Sequence, residues 1–202
     1  MIDEKAKERA LSYGTPECVH VPIAAVDEAA ISTYVGDIIR VLSGRSSRRA
    51  FLVQAWEPPP RDERFPIWDL ENSAVLFQPL QVWVHINYTR YRRAYRAAFP
   101  DQDISGHVLS HTMNRRTAML MGFPFVRLTP TSRAANSSSA FSEGWGVEFH
   151  SDPDQMLRNK RRGVFIHYAD LSELMLMLDL NLGGGVMNAV NEGQALIRPR
   201  PE

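Results

Sequence analysis

Hydrophobic and polar positions alternate most regularly in VWVHINY (82–88), where Val82, Val84 and Ile86 are separated by Trp83, His85 and Asn87. That period of two is the mark of a strand with one buried face. FLVQAWE (51–57), FVRLTP (125–130) and VFIHYAD (164–170) read as further strands, and CVHVPIAAV (18–26) as a short one with an irregular continuation. Helical spacing appears after Asp27, with Ile31, Val35, Ile38, Ile39 and Leu42 on one face. It predicts a helix capped by Asp27 and stopped by Ser43-Gly44. YTRYRRAYRAAF (88–99) predicts a second helix, ending before Pro100. In SGHVLSHTMNRRTAML (105–120) the spacing predicts a third, over about 106–121 with Ser105 as its cap. Its His107, His111 and Asn114 would share one face, opposite Leu109, Met113 and Leu120. Asp170 followed by Glu173 has the form of a capping box opening another helix. Gly183-Gly184-Gly185 would separate that helix from a last short one.

EPPPRDERFP (57–66) is a loop, because proline fixes φ and donates no hydrogen bond. SRAANSSSAFSEG (132–144) also reads as a loop, rich in residues that make local turns. The expected fold is α+β: a small mixed or antiparallel sheet packed with about five helices. Residues 1–17 would form an N-terminal arm and 18–202 a single domain.

Composition narrows the class. A 202-residue chain with 44% hydrophobic and 23% charged residues can bury one core and is not broadly disordered. No stretch reaches the ~18 uncharged apolar residues of a membrane span, so no membrane partner is expected. The single cysteine, Cys18, forms no internal disulfide and points to a reducing, cytoplasmic setting. Net charge is zero, so a uniformly basic nucleic-acid binder is excluded. Basic charge is nevertheless concentrated locally. Arg90, Arg92, Arg93 and Arg96 share the 88–99 segment with Tyr88, Tyr91 and Tyr95, and Arg115, Arg116 and RNKRR (158–162) could extend the patch. Guanidinium binds phosphate in a bidentate way and tyrosine offers a face on which bases stack.

The candidate chemistry lies between Asp103 and His150. Two imidazoles one helical turn apart, His107 and His111, could share a metal ion. There is no HExxH, since Val108 follows His107, so the glutamate of zinc proteases is missing from its place. Downstream, Ser132, Arg133, Asn136, Glu143, Glu148 and His150 crowd a segment poor in aliphatic residues.

Together these segments resemble the ββα-metal (His-Me finger) nucleases, in particular the non-specific DNA/RNA endonucleases and the related bacterial toxin nucleases. In that family a Gly-His pair after an acidic residue supplies the general base. Further on, a proline precedes a metal-binding asparagine, and a glutamate follows. Asp103, Gly106 and His107 match the first element, and Pro130, Asn136 and Glu143 follow in order. The match covers less than a quarter of the chain, and Ser105 stands where the family has arginine. The resemblance implies a metal-dependent nuclease, a toxin or defence effector. His107 would be its base, with His111 as substitute. Arg133 or Arg127 would stabilise the developing charge. Asn136, with Glu143 or His111, would hold a divalent ion, Mg²⁺ before Zn²⁺. The alternative is a non-catalytic domain that docks nucleic acid or a protein partner on the arginine helix. A third reading is a hydrolase or transferase using His107, His111 and Glu143 on another substrate.

Overall fold

Asp27 takes an extended conformation and its carboxylate accepts from the Ala30 amide at 2.7 Å, so α1 (Glu28–Tyr34) begins where the cap residue predicts. It does not run to Leu42. A computed structural model describes residues 21–45, 48–56, 78–161, 163–177 and 179. In it the chain leaves α1 for a ten-residue strand, β2 (Gly36–Arg45), which pairs antiparallel with β3 (Arg48–Ala55). Gly36 explains the switch. A Cβ at this position would overlap the Gln54 backbone, so only glycine lets the chain approach β3 there. The β-branched Ile38, Ile39 and Val41 then favour the extended form.

The described strands are completed by β1 (Pro22–Ala25), β4 (Leu80–His85), β5 (His107–His111), β6 (Phe125–Ser132) and β7 (Ile166–Tyr168). They form one curled sheet in the order β2-β3-β4-β6-β1-β7, with every pairing antiparallel. β6 is shared along its length: Phe125–Arg127 pair with β4, and Leu128–Ser132 pair with β5. The remaining described helices are α2 (Tyr91–Ala98), α3 (Arg115–Met121), α4 (Arg133–Ser138), α5 (Ala140–His150), α6 (Pro153–Arg161) and α7 (Leu171–Met177). The α+β class therefore holds, with seven antiparallel strands and seven helices among the described residues rather than a small sheet and about five helices.

Alternate residues of the central strands feed two cores. Leu52, Val82, Val84 and Val126 pack with Ala94 and Tyr95 of α2, Ala118 of α3 and Leu174 of α7. Phe51, Val53, Trp83 and Phe125 pack with Ala30 and Ile31 of α1. Complete burial of side chains such as Phe51 and Leu128 stabilises the fold by about 1.5–3 kcal/mol each. The capping box at Asp170 forms as its spacing predicts: the Glu173 amide donates to Asp170 at 2.9 Å, and the Asp170 amide donates to Glu173 at 2.8 Å. Cys18, the 57–66 loop, the triple glycine and the whole of the proposed N-terminal arm lie outside the described residues.

Two expectations that bear on the site are overturned. The 106–121 segment is not one helix. His107–His111 is a strand, and a separate helix begins at Arg115, with the Asn114 side chain accepting from the Arg116 amide at 2.8 Å. His107, Leu109 and His111 alternate with Val108, Ser110 and Thr112, so the segment satisfies a period of two as well as a spacing of four. Backbone pairing with β6 decides for the strand. Nor is 132–144 a loop: Ser132 caps α4 by accepting from the Ala135 amide at 3.1 Å, and α5 follows.

Candidate functional site

Tyr91, Ala94, Tyr95 and Ala98 turn one face of α2 to the core, leaving Arg90, Arg92, Arg93 and Arg96 exposed. Arg40 of β2 donates to the Ala97 carbonyl at 2.6 Å, satisfying an acceptor at the C-terminal end of the helix. Phe99 packs against Tyr95 with ring centroids 4.9 Å apart and the rings tilted by 52°. The Tyr95 hydroxyl donates to Gln102 at 3.0 Å and ties the next loop to the helix. Burial pushes the Tyr95 phenol up to about 12, against the opposing pull of Gln102 and Arg127, so it remains a neutral donor.

The loop is shaped by its own polar groups. Asp103 accepts from the Ser105 amide at 2.8 Å, and the His107 amide donates to the Ile104 carbonyl at 3.0 Å. β5 then begins at His107, which the register sets opposite Ser132, the cap of α4. Arg133 is the next residue. A hairpin-like pairing thus brings a histidine and an arginine together across 26 residues of sequence (133 − 107).

The result is a cleft of about 370 Å³. Arg92 and Arg96, one turn apart on α2, form one wall. Asp103 and Ser105 come from the loop, His107 from the start of β5 and Arg133 from the start of α4. Phe99, Ile104 and Val108 supply its apolar surface. Two aspartates lie within electrostatic range of His107. The Ser105 amide and hydroxyl hold the Asp103 carboxyl below the ordinary carboxylate range, outweighing the opposing effect of burial, and His107 adds a lesser downward pull. At Asp179, burial works upward, but hydrogen bonds from Ser132 and Thr131, with His107, outweigh it and lower the carboxyl. Asp179 has a left-handed backbone, φ 61°, which aspartate tolerates better than most residues.

Of the residues singled out in the sequence, His107, Arg133, Arg92 and Arg96 therefore meet at one cleft. Others do not. His111 is four strand residues from His107, a separation of about 13 Å. Its ring is packed edge-on against Tyr91 at 4.7 Å, with Nε2 buried and unpartnered. Burial, assisted by Arg115, pushes the imidazole down to about 4. The two histidines cannot share an ion as the helical reading implied. Arg127 is fully buried in the middle of β6, so it does not reach a substrate. Asn136 is half-buried on α4 and does not line the cleft, and Glu143 falls in α5 with its side chain outside the described residues. Arg90, Arg93, Arg115 and Arg116 are exposed but lie off the cleft. Among the described residues no three His, Cys, Asp or Glu side chains are arranged to hold a metal ion.

Sequence reasoning missed Asp179, which only the fold brings to His107. It also missed a smaller cavity of about 110 Å³ lined by Thr117, His150, His167 and Glu173. There the Thr117 hydroxyl is buried without a partner, and His167 Nε2 lies 3.7 Å from Glu173. Burial pushes the Glu173 carboxyl up, reinforced by Asp170 and opposed by His167.

Comparison of the chain with protein-family models, curated proteins and solved structures gives no match. Among the described residues no helix is long and apolar enough to cross a membrane.

Proposed function

We propose that the chain is a nuclease whose 370 Å³ cleft binds a nucleic-acid phosphodiester, with His107 as its general base. The supporting observation is that Arg92, Arg96 and Arg133 line one cleft together with that imidazole. Three guanidiniums can neutralise both the ground-state phosphate and the additional charge of a five-coordinate phosphorus. An exposed imidazole at hydrogen-bond reach can take the proton of the attacking hydroxyl. Phe99 offers an apolar face to a base. A role as a toxin or defence effector belongs to the same reading.

The divalent ion implied by the nuclease resemblance, Mg²⁺ or Zn²⁺, would need Asn136 and Glu143 together with a residue other than His111. A cleavage assay on plasmid and tRNA, with and without EDTA, tests the reading. His107→Ala is expected to lower the rate at least ~100-fold while the folded protein melts as before. Undiminished activity in this variant would refute the assignment. A second reading has one observation in its favour: the three arginines of α2 and Arg90, its cap residue, are all exposed. On that reading the domain docks nucleic acid or an acidic protein without cleaving it, and the assay gives binding and no product.

A further inference from the structure

We infer that the substrate of the cleft is RNA, cleaved by attack of its own 2′-hydroxyl; this rests on reading the cleft as a phosphodiester site. The ionisable groups lining it form a particular set: one imidazole, His107; one carboxylate, Asp103; and three guanidiniums, Arg92, Arg96 and Arg133. Water attacking a DNA phosphodiester has to be brought in, positioned and ionised, a task commonly given to a bound metal ion. RNA carries its nucleophile one carbon from the reacting phosphate, and intramolecular attack of this kind gains a large effective concentration. What remains for the protein is a base for one proton and positive charge around the phosphorus, and this set supplies both.

The step balances without a co-reactant. An imidazole nitrogen of His107 takes the 2′-hydroxyl proton, the O2′–P bond forms and the P–O5′ bond breaks. The departing 5′-oxygen takes a proton from solvent water, and His107 returns its proton to the hydroxide left behind. The products are a 2′,3′-cyclic phosphate and a 5′-hydroxyl. Asp103 lines the same cleft and places a carboxylate there as the imidazolium forms midway. The apolar surface at Phe99 suits an unstacked base of a single strand, and the polar rim at Ser105 and Asp103 can contact a 2′-hydroxyl.

The test uses the full chain in EDTA with three 5′-labelled oligonucleotides of one sequence: single-stranded RNA, the same strand 2′-O-methylated throughout, and DNA. The expected result is cleavage of RNA alone, with 2′,3′-cyclic phosphate ends. His107→Ala should lose ~10²–10⁴-fold in rate, and Arg96→Ala, exposed and away from the core, should also lose activity with an unchanged melting temperature. Cleavage of DNA or of the methylated strand, or cleavage that requires added Mg²⁺, overturns the RNA inference while leaving the phosphodiester reading standing. Failure to cleave any of the three, with or without Mg²⁺, overturns both.

Discussion

His111 gives the most direct residue-scale prediction. Its folded pKa is about 4, against an ordinary 6.5, because the ring is buried against Tyr91 and beside Arg115. Below pH 6.5 the unfolded chain takes up a proton that the folded chain refuses until about pH 4. Stability therefore falls as pH drops through that window, by up to about 3 kcal/mol. Burial also lowers His85, which adds a contribution of the same sign. Denaturant melts between pH 4 and 7 should show a shallower pH slope for His111→Leu than for the native chain, and parallel slopes would contradict the assignment. The substitution should leave cleavage intact, since His111 lies outside the cleft. His107, exposed at the start of the same strand, should behave oppositely: little effect on stability and a large effect on activity.

At the scale of elements, local signals are sound where a single side chain sets the outcome. Asp27 and the Asp170–Glu173 pair cap their helices as their spacing implies, because capping is a contact between near neighbours. Asp170→Ala should cost about 1 kcal/mol in a chemical melt; no change would mean the cap is idle. Signals that depend on partners elsewhere were ambiguous. Ile38, Ile39 and Val41 fit a helix face until pairing with β3 makes them strand residues. His107 and His111 sit at a spacing that serves both helix and strand until β6 pairs with them. Ser132 and Asn136 suggested a loop, yet Ser132 proved to be a helix cap. Gly36 is the switch with the sharpest consequence. Gly36→Ala forces a methyl onto the Gln54 backbone and should destabilise by about 1–3 kcal/mol. A variant as stable as the native chain would show that the α1–β2 junction is not fixed by this approach.

At the scale of the whole molecule, the arginine patch was legible as composition, but its partner was not. Arg92 and Arg96 are separated from Arg133 by about forty residues, and only the β5–β6 register and the loop held by Tyr95 and Asp103 close that gap. With zero net charge, attraction for a polyanion has to come from the local field of such a patch. Affinity for an oligonucleotide should therefore fall steeply with salt. On the nuclease reading the cleft, and not basic charge at large, engages the phosphodiester, and this is open to a direct test. The measurement is fluorescence anisotropy of one labelled RNA oligonucleotide with two double variants carrying the same loss of charge. Arg92→Ala/Arg96→Ala is expected to weaken binding at least ~10-fold, as befits lost charge-assisted phosphate contacts. Arg115→Ala/Arg116→Ala, off the cleft, is expected to bind within about twofold of the native chain, so equal losses in the two variants, or none in the first, would contradict the account.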